Sequence, residues 1–226
     1  MILNRITRIK YAVITMKLFF LCISLLFIVC VSPACDRPRQ TGVDFDTIDT
    51  SRDPEQGPIS ASEPVVVTVN NGSFTLTPKA KYRLSGRVVS RESYSDGWES
   101  DISPVDIAIV WGKLAESQYD KYISYSQGSR WYFYKTKLEC PLEPTYLVAH
   151  SGNNHIVPVN ENVRRAVKSV KRKDAVVLEG YLINILGSYK GRGVTWNTSL
   201  SRTDTGNGSC ELFYVTRVRI ETKVYE

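Results

Sequence analysis

From residue 65 to residue 220 the chain is a series of short alternating runs broken by Gly, Asn, Pro and Asp. Val65, Val67 and Val69 alternate with their neighbours, Asn71-Gly72 follows, and the alternation resumes at Phe74 and Leu76. An Asn-Gly step between two such runs is a strong hairpin signal. Tyr82, Leu84, Gly86 and Val88 continue at period two, and the interior Gly86 predicts a bulge or bend. Residues 105–111 read as a second core strand, and 129–138, with Trp131 and Phe133, as a third. Val163, Ala166, Val167 and Val170 then fall at i, i+3, i+4 and i+7, which predicts a helix over 162–170. Asn160 or Asn162 can cap it, and Lys168, Lys171, Arg172 and Lys173 suit its negative end. Residues 174–186, with Gly180 inside, and 211–222, with Leu212, Tyr214, Thr216, Val218 and Ile220 on one face, close the series as strands.

An N-terminal hairpin followed by strand, strand, strand, helix, strand, strand predicts a mainly β (α+β) fold. Over residues 80–223 that order resembles an OB-fold, a five-stranded barrel with one short helix between strands three and four. The resemblance implies that strands three and five run parallel. It therefore sets Cys140, at the end of one, apart from Cys210, at the start of the other, unless 139–160 folds back.

Ahead of this domain the pattern differs. Residues 18–31 run for 14 positions without a charge, short of the roughly 20 apolar residues that span a bilayer. With Lys17 before it and Ser32-Pro33-Ala34 after it, the run fits the apolar region of a secretory signal starting at Met16. If the start is Met1, residues 11–34 form a longer segment that can anchor as a tilted helix, with Arg5, Arg8 and Lys10 on the cytoplasmic side. The cysteine after Ala34 resembles the lipidation site of bacterial lipoproteins, which makes Cys35 the candidate acylated residue. In that case Asp36 resembles the residue that retains such proteins at the inner membrane. Simple cleavage and an uncleaved anchor are the alternatives. Residues 1–35 are thus a signal peptide or N-terminal anchor. Residues 36–63, with Asp44, Asp46, Asp49, Asp53, Glu55 and Glu63 among three prolines, are expected to be a disordered tether, and 64–226 the globular domain. The expected location is the periplasmic face of a bacterial envelope, held at the inner membrane or released.

Charge changes little. The net +6 is concentrated at the front: residues 1–35 hold four of the 29 basic residues and none of the 23 acidic ones, so the rest carries +2 (25 against 23). That is no nucleic-acid footprint. Two of the five cysteines lie in the leader and a third is Cys35. Cys140 and Cys210 are left as a disulfide in an oxidising compartment, or as two free thiols.

Four segments carry a closer resemblance: Tyr82-Arg-Leu-Ser-Gly-Arg-Val, Ser103-Pro-Val-Asp-Ile-Ala-Ile-Val-Trp-Gly, Asn153-Asn-His-Ile-Val-Pro and Trp196-Asn-Thr-Ser-Leu-Ser-Arg-Thr-Asp-Thr-Gly. They resemble an exported bacterial envelope protein family of unknown function, which implies no activity.

The candidate chemistry is sparse. The only histidines, His150 and His155, stand five apart in a Gly/Asn-rich stretch. A zinc site would need a third ligand that this stretch lacks, so no metal or cofactor is expected. Ser199 with His155 and Asp204 can be drawn as a nucleophile, base and orienter, but no nucleophile elbow surrounds Ser199. Asp101, Asp106 and Arg87 can be drawn as a nuclease site, at a spacing that is generic. Tryptophans and tyrosines make either core or a binding platform. The expectation is a membrane-tethered binding or interaction domain whose contact loops are 139–160 and 187–210. Its contact candidates are His150, Asn154, His155, Trp196, Arg202 and Asp204, for a small ligand or an envelope protein. An envelope hydrolase using the same loops is the alternative.

Overall fold

The structure, a computed structural model, describes residues 36–60, 63–69, 71–201, 204, 206 and 208–226. Cys35 and Arg202, with the whole leader, lie outside them. Among the described residues no helix is long and apolar enough to cross a membrane.

The described chain is mainly β. Its strands are β1 (Gly42–Val43), β2 (Glu55–Gly57), β3 (Val65–Val69), β4 (Gly72–Ser93), β5 (Val105–Val110), β6 (Ile123–Gly128), β7 (Trp131–Thr136), β8 (Ser151–Pro158), β9 (Ala175–Tyr189), β10 (Arg192–Asn197), β11 (Glu211–Ile220) and β12 (Lys223–Tyr225). Its helices are α1 (Trp98–Ile102), α2 (Pro144–Ala149) and α3 (Glu161–Ser169).

Ten strands form one sheet, and β6 and β7 form a separate two-stranded one. Within the large sheet five strands pair in a cycle. β4 pairs β5, β5 pairs β8, β8 runs parallel to β11, β11 pairs β9, and β9 returns to β4. The remaining strands extend this cycle: β2 and β3 on β4, β10 on β9, β12 on β11, and β1 on β12.

The cycle encloses one core. Leu84, Val88, Ile107, Ile109, Ile156, Leu178, Phe213 and Val215 meet inside it, and Val163, Ala166 and Val167 of α3 pack against them. The helix starts where its sequence says: Asn160 accepts from the Val163 amide at 2.9 Å, a cap worth about 1 kcal/mol. Gly180 sits where β9 meets a bulge in β11. A Cβ there would lie 2.0 Å from the Tyr214 carbonyl oxygen, so no side chain fits. The break expected at Gly86 comes two residues later, as a register shift between Val88 and Ser90.

Three expectations are corrected. First, the third strand of the cycle is β8, inside a stretch taken for a loop, because its polar residues bond to neighbouring strands. The stretch 129–138 belongs instead to the β6–β7 hairpin, whose tyrosines Tyr125, Tyr132 and Tyr134 cover a satellite cluster of Val89, Ala108, Val110, Leu114 and Leu147.

Second, residues 36–60 are not a loose tether. Asp44 pairs with Arg219 at 2.5 Å, and the Asp46 carbonyl also takes that guanidinium. Asp53 accepts from the buried Trp111 indole at 3.0 Å, and Thr50 O accepts from Gly112 N at 2.8 Å. The segment has little apolar content of its own, but its carboxylates answer donors on the domain.

Third, Cys140 and Cys210 are free thiols. Cys140 packs beside the satellite cluster, whereas Cys210 takes a hydrogen bond from Asn153.

Candidate functional site

The two histidines go different ways, His150 just before β8 and His155 in its middle. His150 ends α2. Its ring stacks on Tyr146 with centroids 3.7 Å apart, Nδ1 bonds the Tyr146 carbonyl at 2.9 Å, and Nε2 lies 3.8 Å from Asp53. That is a packed bracket between α2 and the N-terminal segment.

His155 faces Asp106 across the β5–β8 pairing. Asp106 is 0 % exposed, and its Oδ1 is 2.9 Å from His155 Nδ1 and 2.8 Å from Arg130 Nη1. The histidine contact is close but poorly aligned as a hydrogen bond, whereas the arginine donates squarely. A buried carboxylate needs such a partner, since an unpaired charge in the interior costs several kcal/mol.

Arg130 reaches Asp106 from the tip of the β6–β7 hairpin. Its guanidinium also donates to the Ser103 carbonyl at 2.9 Å and to Ser100 Oγ at 3.2 Å. It lies 3.9 Å from the Tyr94 ring centroid and 5.5 Å from that of Trp196. The backbone docks as well: Arg130 N donates to Tyr94 Oη at 3.0 Å, and Asn153 Nδ2 donates to the Arg130 carbonyl at 3.3 Å. Gln127 on the same hairpin donates to Asn153 Oδ1 at 2.6 Å. Burial, reinforced by the Asp106 charge, pushes the Tyr94 phenol up to about 12, so it stays protonated.

A cleft of about 660 Å³ opens beside this knot. Tyr94, Trp98, Trp131 and Trp196 line it, with His155, Arg130, Asp96, Glu99 and Cys210. Trp196, on β10, sits 4.8 Å from the His155 ring and meets Trp98 edge-on at 5.9 Å. Trp98 stacks on Phe74 at 5.3 Å, so a buried ring sets its angle. Trp131 is 42 % exposed. A second cavity of about 250 Å³ shares Trp131, Gly206 and Cys210 with the first and adds Asp204 and Glu211.

Of the residues singled out in sequence, His155 and Trp196 line the main cleft and Asp204 the smaller cavity. Asn154 is 1 % exposed and donates to the Ile107 carbonyl at 3.2 Å, so it bridges β8 to β5 rather than meeting solvent. Ser199 Oγ donates to Asp204 at 2.7 Å and accepts from the Ser201 amide at 3.0 Å, which braces the loop, while His155 lies against Asp106. Arg87 pairs with Asp120 at 2.6 Å, away from Asp106. Among the described residues no three His, Cys, Asp or Glu side chains gather to hold a metal.

Of the residues that organise the site, Arg130, Asn153 and Trp98 were not among those candidates, and Asp106 was drawn only into a nuclease arrangement that the structure does not assemble. One signal for them was present. Asp106 is the single charge in Val-Asp-Ile-Ala-Ile-Val, a carboxylate with nowhere to go but a partner.

No family model matches this chain, and no curated protein or solved structure matches it either.

Proposed function

We propose that this chain is an exported, membrane-tethered binding domain of a bacterial envelope, and that its ligand sits in the tryptophan-lined cleft. The five-strand cycle reads as an OB-like barrel: β4, β5, β8, β9 and β11 stand as strands one to five. In support, β8 and β11 are parallel and α3 lies between the third and fourth strands. The cleft lies against the outer face of this barrel, with His155 in its lining, Asp106 buried behind it, and the hairpin tip at its flank.

One observation carries the reading. Four aromatic rings from three separate stretches of chain converge on an open cleft, and half-exposed rings there leave apolar area available to a ligand. Core packing accounts for Trp111, which is buried, but not for Trp131. The leader and Cys35 supply the expectation of export and anchoring.

The test is intrinsic tryptophan emission during titration with the small-molecule fraction of a bacterial envelope extract, for wild type and Trp196→Ala. A saturable change in wild type that the variant loses is expected. Identical responses from both proteins would sink the cleft as the binding site.

The second reading is a hydrolase. It is favoured by His155, backed by the buried Asp106, lining the same cleft as Cys210. It requires the Cys210 thiol to ionise, and burial opposes this by pushing that thiol up to about 11.

A further inference from the structure

Resting on the cleft reading above, we infer that the ligand this cleft takes is an organic cation, an alkylammonium or guanidinium group presented against the tryptophan faces. Three observations converge on that class.

The first is the walls. Trp98, Trp131, Trp196 and Tyr94 line the cleft, and the face of such a ring carries a negative quadrupole that attracts cations, most strongly for Trp.

The second is the charge balance. Arg130 is the cleft's one lysine or arginine among the described residues, and its charge is cancelled by Asp106, with its donors also spent on Ser103 and Ser100. Cys210 stays neutral. Asp96 and Glu99, at the cleft edge, have no ion-pair partner among the described residues. Among the described residues the cleft therefore has uncompensated negative charge beside aromatic surface.

The third is an occupant the protein supplies itself. The Arg130 guanidinium lies on the Tyr94 ring at 3.9 Å and beside Trp196 at 5.5 Å, against a carboxylate. The same walls that seat this internal cation continue into the open cleft, where Trp98 and Trp131 are unoccupied by any cation of the described chain.

An anionic ligand is disfavoured by the same balance, because it would meet Asp96 and Glu99 with no free arginine among the described residues to receive it. A neutral ligand would gain the stacking but not the charge term.

The experiment is tryptophan-emission titration of the full chain with choline and, separately, with its neutral isostere in which carbon replaces the quaternary nitrogen. Choline is expected to bind at least about tenfold more tightly than the isostere, which corresponds to about 1.4 kcal/mol. In the double variant Asp96→Asn with Glu99→Gln that preference should shrink toward unity, with folding unchanged because both residues are peripheral. Trp196→Ala should weaken both ligands. Equal binding of cation and isostere, or a preference that survives the double variant, overturns the cation inference and leaves the cleft standing. Choline binding that Trp196→Ala does not affect overturns the cleft together with the inference. No response to choline also overturns the cation inference, while the envelope-extract titration still judges the cleft.

Discussion

Two hairpins of this protein close with the same two-residue loop geometry and opposite chemistry. Between β9 and β10 the loop is Lys190-Gly191, with φ of 50° and 74°. Between β6 and β7 it is Ser129-Arg130, with φ of 52° and 69°. Both residues of each loop are left-handed, the pattern of a tight turn that matches strand twist and favours Asn and Gly. The first loop has its glycine at the second position. The second puts an arginine there, against local preference, and that arginine reaches Tyr94, Asp106, Ser100 and Ser103. The β6–β7 tip is therefore shaped by its socket and not by its own turn. Strain held in place by surrounding contacts is what functional sites carry.

The largest effect should come from emptying the socket. Asp106→Ala removes a fully buried carboxylate and leaves Arg130 without its main partner and His155 facing an apolar gap. Removing one member of a buried pair typically costs about 3–5 kcal/mol. Urea unfolding should show that loss as a lower midpoint. A change below about 1 kcal/mol would mean that the tip does not depend on the socket, and the contrast between the hairpins would fail.

Exchanging the loops gives a smaller and signed effect. Gly191→Arg places an arginine in the geometry of Arg130 with no socket. No atom lies within 4 Å of the added Cβ, so its cost is conformational, about 1 kcal/mol. Arg130→Gly relieves the same strain but loses charge-assisted bonds, each typically about 1.5–3 kcal/mol. Both substitutions are therefore expected to destabilise, Arg130→Gly the more, although one improves its turn and the other spoils it. An Arg130→Gly protein more stable than wild type would show that the turn, not the docking, sets the hairpin.

The same contrast explains what the sequence showed and hid. α3 was legible because Val163, Ala166 and Val167 keep a helical period and meet one core. β9 and β11 were legible as strands, but not in their faces: Leu212 and Tyr214 pack with a second cluster while Phe213, Val215 and Val218 enter the core of the cycle, and the bulge between Val215 and Arg217 breaks the period. β8 was hidden because Ser-Gly-Asn-Asn-His carries side chains chosen for polar partners: Asn153 hydrogen-bonds the hairpin, Asn154 hydrogen-bonds β5, and His155 sits against the Asp106 carboxylate. Polar strand residues of that kind look like a loop until their partners are known. The β6–β7 hairpin misled in the opposite direction. Its alternation is real, but Trp131 and Phe133 face outward while Tyr132 and Tyr134 face the satellite cluster, so a good strand pattern belonged to a flap and not to the cycle. The acidic stretch 36–60 read as disordered because its partners, Arg83, Trp111 and Arg219, lie far along the chain.

The smallest effect on stability, and the finest probe of docking, is the reactivity of Cys210. Asn153 Nδ2 serves both the Arg130 carbonyl and the Cys210 sulfur, the latter at 3.7 Å, so release of the tip should open the thiol to water. Burial holds that thiol up at about 11 against an ordinary value near 9, with Glu211, Asp106 and Asp204 adding to the shift. A thiol raised on folding keeps its proton in the native state while the unfolded chain loses it. Its stabilising share is thus intact below about pH 9 and is lost as pH climbs from 9 to 11. Alkylation by iodoacetamide follows the thiolate. In wild type its rate should keep rising toward pH 11. In Arg130→Gly the rise should level off near pH 9, with labelling at pH 8 faster by up to about 100-fold, while Gly191→Arg behaves as wild type. Cys210 that labels rapidly at pH 7 in wild type, and slows in His155→Ala, would instead be an activated nucleophile, and the hydrolase reading would displace the binding one.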